Sequence, residues 1–228
     1  DIDNKCPTSY GCVLHLFKVS SKDVFKAVRK FKANFTAGPD RIPAFFVKDT
    51  IFCLSEPLCY LYNLIMRSST FPGCWKTSKI TPVFKSGSKE EITNFRPIAI
   101  INNFAKIFDS ILADALRSHT SSLIIDEQHG FIKGKSTCTN LCEFIQFVSD
   151  AMNNSLQVDV IFTDLSKAFD VVNIDLLCEK LNHFGLCNGL ITLFKSLLAD
   201  RNQYVEYRGC KSSHFATASG VTQGSTLG

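Results

Sequence analysis

The chain has 228 residues, 45% hydrophobic and 20% charged, with a net charge of +4, enough to bury a sizeable core in one or two subdomains. No apolar run approaches the roughly 18 residues a membrane span requires and no segment reads as a signal peptide, so a spanning or secreted class is excluded and an intracellular, reducing compartment is expected. Ten cysteines include no C-x2-C pair; Cys138 and Cys142 lie one helical turn apart with no paired histidine, which reads as reduced, mostly buried thiols rather than a zinc site.

In chain order, Ser20 or Ser21 can cap a helix whose apolar positions Val24, Phe25, Val28 and Phe31 recur at helical spacing. Gly38-Pro39-Asp40 reads as a turn. Pro43 can start a second helix, and Pro57 is expected to break or restart it before Met66. Residues 79–84 and 95–101 look like two strands joined by a polar connection containing Ser86-Gly87-Ser88. A helix from about Asn103 should bury Phe104, Ile107, Phe108, Ile111, Leu112 and Leu116, and another from near Ser136 should bury Leu141, Phe144, Ile145 and Val148. The β-branched and aromatic run 158–163 predicts a buried strand ending at Asp164. Two helices, near 174–184 and 188–199, follow, with Gly185 in a C′ position after the first. A hairpin through 203–207 and 214–218 comes last. No repeat, low-complexity tract or linker interrupts this α+β pattern.

Charge divides unevenly. Residues 1–150 hold 19 Lys+Arg against 14 Asp+Glu, a net of +5, while residues 151–228 hold 6 against 7, a net of −1. Basic groups neutralise phosphates and carboxylates concentrate divalent cations, so a basic first part beside an acidic centre suits a nucleic-acid polymerase.

The segment FTDLSKAFD, residues 162–170, sets a carboxylate at the expected end of a strand. Around it stand GPDRIP (38–43), PVFKSG (82–87), NFRPIAI (94–100), NFAKIFDSILADAL (103–116), EQHGFIKGKST (127–137), LLCEKLNHFGL (176–186), LADRNQYV (198–205) and SGVTQGSTLG (219–228). In order and spacing these segments resemble the reverse transcriptase domain of non-LTR retrotransposons, the jockey-like and LINE-like elements, from about Gly38 to the last residue. The resemblance implies a right-hand polymerase fold of fingers plus an incomplete palm. Residues 1–37 would be a helical lead-in, 38–155 the fingers, and 156–228 part of the palm, ending before the paired-Asp motif.

The implied activity is RNA-directed DNA synthesis. A primer 3′-hydroxyl attacks the α-phosphate of a deoxynucleoside triphosphate, with two Mg²⁺ ions neutralising charge. RNA template, DNA primer and deoxynucleoside triphosphates are the implied partners, with no membrane. Hard cations take oxygen ligands, and Asp164 matches the family's first metal-binding Asp, joined by the backbone carbonyl of Leu165. Ala168 and Phe169 match the nucleotide-contacting pair, the Phe169 ring leaving no room for a ribose 2′-hydroxyl; Asp170 reads as a structural hydrogen-bonding residue. Lys85 and Arg96 match the residues that hold the triphosphate. Gln223 and Gly224 match the loop against the nucleotide and template base. Trp75 and Lys76 read as internal supports.

Three positions depart from the family pattern: Thr222 replaces a proline, Ile132 stands where an arginine is common, and Thr163 rather than an apolar residue precedes Asp164. No Asp follows Asp200, so the paired aspartates are absent, and with Asp1 rather than Met first both ends read as cut. The expectation is a fragment or degenerate copy, inactive by itself. The alternative reading is a non-catalytic retrotransposon remnant with at most weak nucleic-acid binding. An intron-maturase type of reverse transcriptase shares the chemistry. A haloacid-dehalogenase-like phosphatase is excluded, since it needs a second Asp where Ser166 stands.

Overall fold

The computed structural model describes residues 13–217 and 219–227, a mixed α+β chain in two compact units. One unit takes the residues up to 118 and from 167 onward; the other is residues 119–166.

The larger unit begins with α1 (Ser21–Arg29), whose first turn is closed by a capping box: the Ser20 hydroxyl accepts from the Asp23 amide, and the Asp23 carboxylate accepts from the Ser20 amide at 2.9 Å. Val24 and Val28 are buried and Phe31 lies at the edge of the core, as their spacing predicts. Pro43 precedes α2 (Ala44–Asp49), and α3 (Ile51–Ser68) follows after a break at Thr50.

Pro57 does not end α3, contrary to expectation. Its missing N–H deprives the carbonyl of Cys53, and both residues lie on the exposed side, where water can replace the lost bond. The opposite side holds Leu58, Tyr62, Ile65 and Met66 in the core. Tyr62 packs edge-on to Trp75 and against Phe108, and its hydroxyl donates to the Phe104 carbonyl at 2.8 Å. Trp75 is buried, in keeping with a supporting role. Helix α4 (Asn103–Thr120) buries Ile107, Phe108, Ile111 and Leu112. Helix α6 (Ile174–His183) is capped by the Asn173 side chain and ends before Gly185 at φ +84°, and α7 (Asn188–Leu198) adds Leu190, Leu193 and Leu197 to the same core.

The strands are β1 (Thr77–Phe84), β2 (Phe95–Ile100), β3 (Arg201–Tyr207), β4 (Cys210–Lys211) and β5 (Phe215–Thr217), in the order β2-β1-β3-β4 with β5 also on β3. β1 runs antiparallel to β2 and parallel to β3. The predicted last hairpin is present, with its final residue, Ala218, outside the described residues. Lys85 donates to the Asn94 carbonyl at 2.8 Å, so the odd-numbered β1 residues exchange bonds with β2 and the even-numbered ones turn their amides away. Pro82 and Pro97, opposite each other, therefore remove no bond from this pair. The same alternation leaves the amide of Ala99 on the outer edge of β2.

The smaller unit is built on α5 (Thr137–Asn153), started by a capping box between Ser136 and Thr139. His129 is 8% exposed and held by two contacts, Nδ1 to Thr139 Oγ1 and Nε2 to Glu143 Oε2, both 2.9 Å. The burial predicted for this helix is not found. Leu141, Phe144 and Ile145 are exposed and Val148 is half-buried. A unit this small cannot enclose one helix with its own apolar surface. The run 158–163 is not a strand either: it pairs with no strand among the described residues, and Ile161 and Phe162 are each 87% exposed. Strand-forming side chains show readiness to pair, and without a bonded neighbour that preference has nothing to act on. Nor are the thiols mostly buried: Cys53, Cys74, Cys138, Cys142 and Cys210 are exposed, and among the described cysteines only Cys178 is buried.

Candidate functional site

The 219–227 loop brings together two of the segments singled out by sequence. Gly220 donates to the Val172 carbonyl at 2.9 Å, Val221 donates to the Phe169 carbonyl at 2.8 Å, and the Ser219 hydroxyl donates to the Asp170 carbonyl at 2.9 Å. On its other side the loop is tied to β2, where the Ala99 amide donates to the Gln223 carbonyl at 2.9 Å. Glycine is required at both joints. At Gly220 (φ +87°) a Cβ would stand 2.6 Å from the Phe169 carbonyl oxygen, and at Gly224 (φ +110°) it would stand 2.8 Å from that of Ala99.

Around this junction lies a cleft of about 280 Å³, lined among others by Pro97, Ala99, Asp170, Arg201, Gln203 and Gln223. Ala168, Phe169 and Gln223 are half-buried and Gly224 is exposed. Asp170 takes part through its backbone carbonyl, which accepts from Ser219, and not through its side chain. Thr222, the residue in place of proline, is 7% exposed and its carbonyl accepts from the Ser225 amide.

Lys85 and Arg96 are exposed at the turn end of the β1–β2 hairpin. Val83 faces Arg96 in register and Lys85 faces Asn94, which makes Lys85 and Arg96 diagonal neighbours on one face of the hairpin, close enough for both to reach one polyanion. Arg96 is next in sequence to Pro97, which lines the cleft.

Asp164 and Leu165 fall in the smaller unit, exposed on irregular chain. Among the described residues no three His, Cys, Asp or Glu side chains gather as a metal site would require. Hard divalent cations take about six or more oxygen ligands. Asp164 and the Leu165 carbonyl supply two of these, which leaves the rest to water and to substrate phosphate oxygens.

Two buried charged groups, one of them lining the cleft, were not singled out by sequence reasoning. Arg201 of β3 is 6% exposed; its Nη1 donates to the Leu197 carbonyl at 3.0 Å and its Nη2 to the Ser78 hydroxyl at 3.2 Å, while its Nε has no partner. Asp109 of α4 is 3% exposed, and burial pushes its carboxyl up to about 7 despite the opposing charges of Arg201 and Lys106. A signal for Asp109 was present: it sits beside Phe108 and three residues before Leu112, on the arc predicted to be buried, where a carboxylate is costly without a purpose.

The chain matches a family model described as reverse transcriptase (RNA-dependent DNA polymerase) over residues 85–228. It is similar to the probable RNA-directed DNA polymerase from transposon BS of Drosophila melanogaster, 29% identical over 218 residues, covering 91% of this chain and 23% of that one. It is also similar to the RNA-directed DNA polymerase from mobile element jockey, 29% identical in Drosophila melanogaster (75% of this chain, 19% of that one) and 27% identical in Drosophila funebris (97% and 24%). The chain thus spans a quarter or less of the length of these curated relatives. No helix among the described residues is long and apolar enough to cross a membrane.

Proposed function

Because the chain belongs to the reverse transcriptase (RNA-dependent DNA polymerase) family, we propose that it carries the nucleotide-facing part of an RNA-directed DNA polymerase of a jockey-like non-LTR retrotransposon. The observation that supports this most is the cleft where the Gln223 loop is tied at once to Phe169 and to Ala99. Two segments more than 50 residues apart in sequence meet there through backbone bonds that hold whatever their side chains do. A template-directed enzyme needs such rigidity, since phosphoryl transfer depends on positioning more than on covalent chemistry from the protein.

In this reading Lys85 and Arg96 grip the triphosphate, Arg96 by its planar fork and Lys85 as a compact charge. Phe169, beside Ala168, lies under the sugar, and Gln223 and Gly224 lie against the nucleotide and template base. RNA template, DNA primer and deoxynucleoside triphosphates are the partners, and the right-hand arrangement of fingers and palm is the architecture. Divalent cations, when bound, neutralise the charge of the transferring phosphate. Asp164 and the Leu165 carbonyl are the oxygens this chain offers them.

The test has two arms. The chain itself should bind a primer–template duplex and a deoxynucleoside triphosphate, the former with strong salt dependence. In a chimera in which this chain replaces the matching segment of the jockey polymerase, Asp164→Ala should lower primer extension on an RNA template by about 10²-fold or more. Near-parental extension would end the assignment of Asp164. A chimera that never extends while the chain still binds nucleic acid would favour the non-catalytic reading.

A further inference from the structure

Behind the cleft, on the other side of Arg201, is a second cavity of about 100 Å³. Its wall is mostly apolar, from α4, α6 and α7, but it also includes Asp109, Arg201, and Thr222 and Ser225 of the Gln223 loop. Arg201 lines both spaces. An apolar wall would be cheaper for a purely structural cavity, because each buried charge carries a desolvation penalty that a leucine avoids. The volume admits a few water molecules, and the carboxylate of Asp109, the unpartnered Nε of Arg201 and the Thr222 hydroxyl are polar groups enough to hold them.

We propose that Asp109 and Arg201 are a positioning pair, linked through this cavity, that sets how the 219–227 loop presents Gln223 to the cleft. The proposal rests on the reading of that loop as part of the nucleotide site. Asp109 and Arg201 line this cavity together with Thr222; ionised, Asp109 draws the Thr222 hydroxyl toward it across the cavity, and protonated, it releases it. Its carboxyl titrates near neutrality, raised by burial and lowered by Arg201 and Lys106, so both states are populated at ordinary pH. The charged and titratable groups that bear on it are Arg201 from β3, Lys106 from α4 itself and the Tyr62 phenol from α3. The lining residues of α6 and α7 are leucines and a phenylalanine, and those of the loop are uncharged.

The pair costs stability and supplies order at one loop, so the two effects of removing it have opposite signs. Hydrogen exchange by mass spectrometry on the 228-residue chain, with wild type, Asp109→Asn and Arg201→Lys, separates them. Asp109→Asn should raise exchange in the 219–227 peptides about tenfold at pH 8, the scale of one hydrogen bond to a charged group, while Tm stays level or rises. Arg201→Lys keeps a charge but loses the Nε donor together with the bonds to Leu197 and Ser78, and should give the same rise in the loop with a further rise only where those two bonds end, in α7 and β1; it serves as the second variant if Asp109→Asn does not fold. After correction for intrinsic rates, wild-type loop exchange should increase from pH 8 to pH 6, and that of Asp109→Asn should not. Unchanged loop exchange in both variants, or a uniform rise across α1, α3 and α7 with a lower Tm, would overturn the proposal. Titration of a fluorescent deoxynucleoside triphosphate keeps the two readings apart. If wild type binds none while the loop exchange behaves as described, the nucleotide assignment fails and the positioning pair stands.

Discussion

Ala99 donates its amide to the carbonyl of Gln223 at 2.9 Å, and this bond joins the edge of β2 to a loop more than a hundred residues later in the chain. It exists because the ladder between β1 and β2 leaves that amide facing outward, and because Gly224, with φ +110°, lets the loop backbone come within reach.

Gly224→Ala and Gly220→Ala should each therefore lower stability by roughly 1–3 kcal/mol. In both cases the obstacle is a backbone carbonyl, which cannot swing aside. Gly73, with nothing within 4 Å of its Cβ position, is the control, and Gly73→Ala should change stability by less than about 0.5 kcal/mol. Urea denaturation of the three variants is the measurement; equal effects at all three would show that close approach is not what selects glycine.

Phe169→Val, in the chimera with the jockey polymerase, should raise kcat/KM for ribonucleotides relative to deoxynucleotides by on the order of 10–100-fold, the range over which a pocket discriminates small groups by size. An unmoved ratio would make Phe169 a packing residue only.

In the same chimera Lys85→Ala and Arg96→Ala should raise the nucleotide KM by about tenfold each, with kcat nearly kept, because both would act as ground-state grips on phosphate. Loss of primer–template affinity at an unchanged nucleotide KM would instead assign this hairpin face to nucleic acid.

His129→Ala removes the contacts to Thr139 and Glu143 at once. The loss should be about 1–2 kcal/mol and confined to the smaller unit, visible as faster hydrogen exchange over residues 127–143 with α1 and α3 unaffected. A rise spread over both units would show that His129 supports more than this local tie.

Asp114 gives a pH dependence of known sign. Burial raises its carboxyl, but hydrogen bonds from Lys30 (2.6 Å) and Lys26 more than offset this and hold it below the ordinary carboxylate range. A folded-state value below the unfolded one contributes stability above pH 4 that is lost as pH falls through the folded value. Asp114→Asn should thus be less stable than wild type at pH 6, by no more than about 1 kcal/mol since both lysines are well exposed, Lys26 at 69% and Lys30 at 44%. The difference should vanish near pH 2. A difference that persisted at pH 2 would mean that packing, not charge, is lost.

Local chemistry in the sequence was enough for the elements that carry their own instructions. Ser20 and Asp23 close a capping box within one turn, Gly185 takes a positive φ where α6 must stop, and the apolar spacing of α4 chooses its buried face. The motifs likewise marked Phe169, Gln223, Lys85 and Arg96 one by one. Tertiary structure alone decided what required a partner. The run 158–163 and the apolar face of α5 have the composition of buried elements and stay exposed, because pairing and burial are properties of neighbours and not of a segment. Pro57 sits inside an unbroken helix because the bond it removes faces solvent while the opposite face is packed. Most of all, Asp109 and Arg201 are 92 residues apart in the chain and share one cavity wall. Burial gives each charge its meaning there, and burial is settled only when α4, α7 and β3 have closed around them.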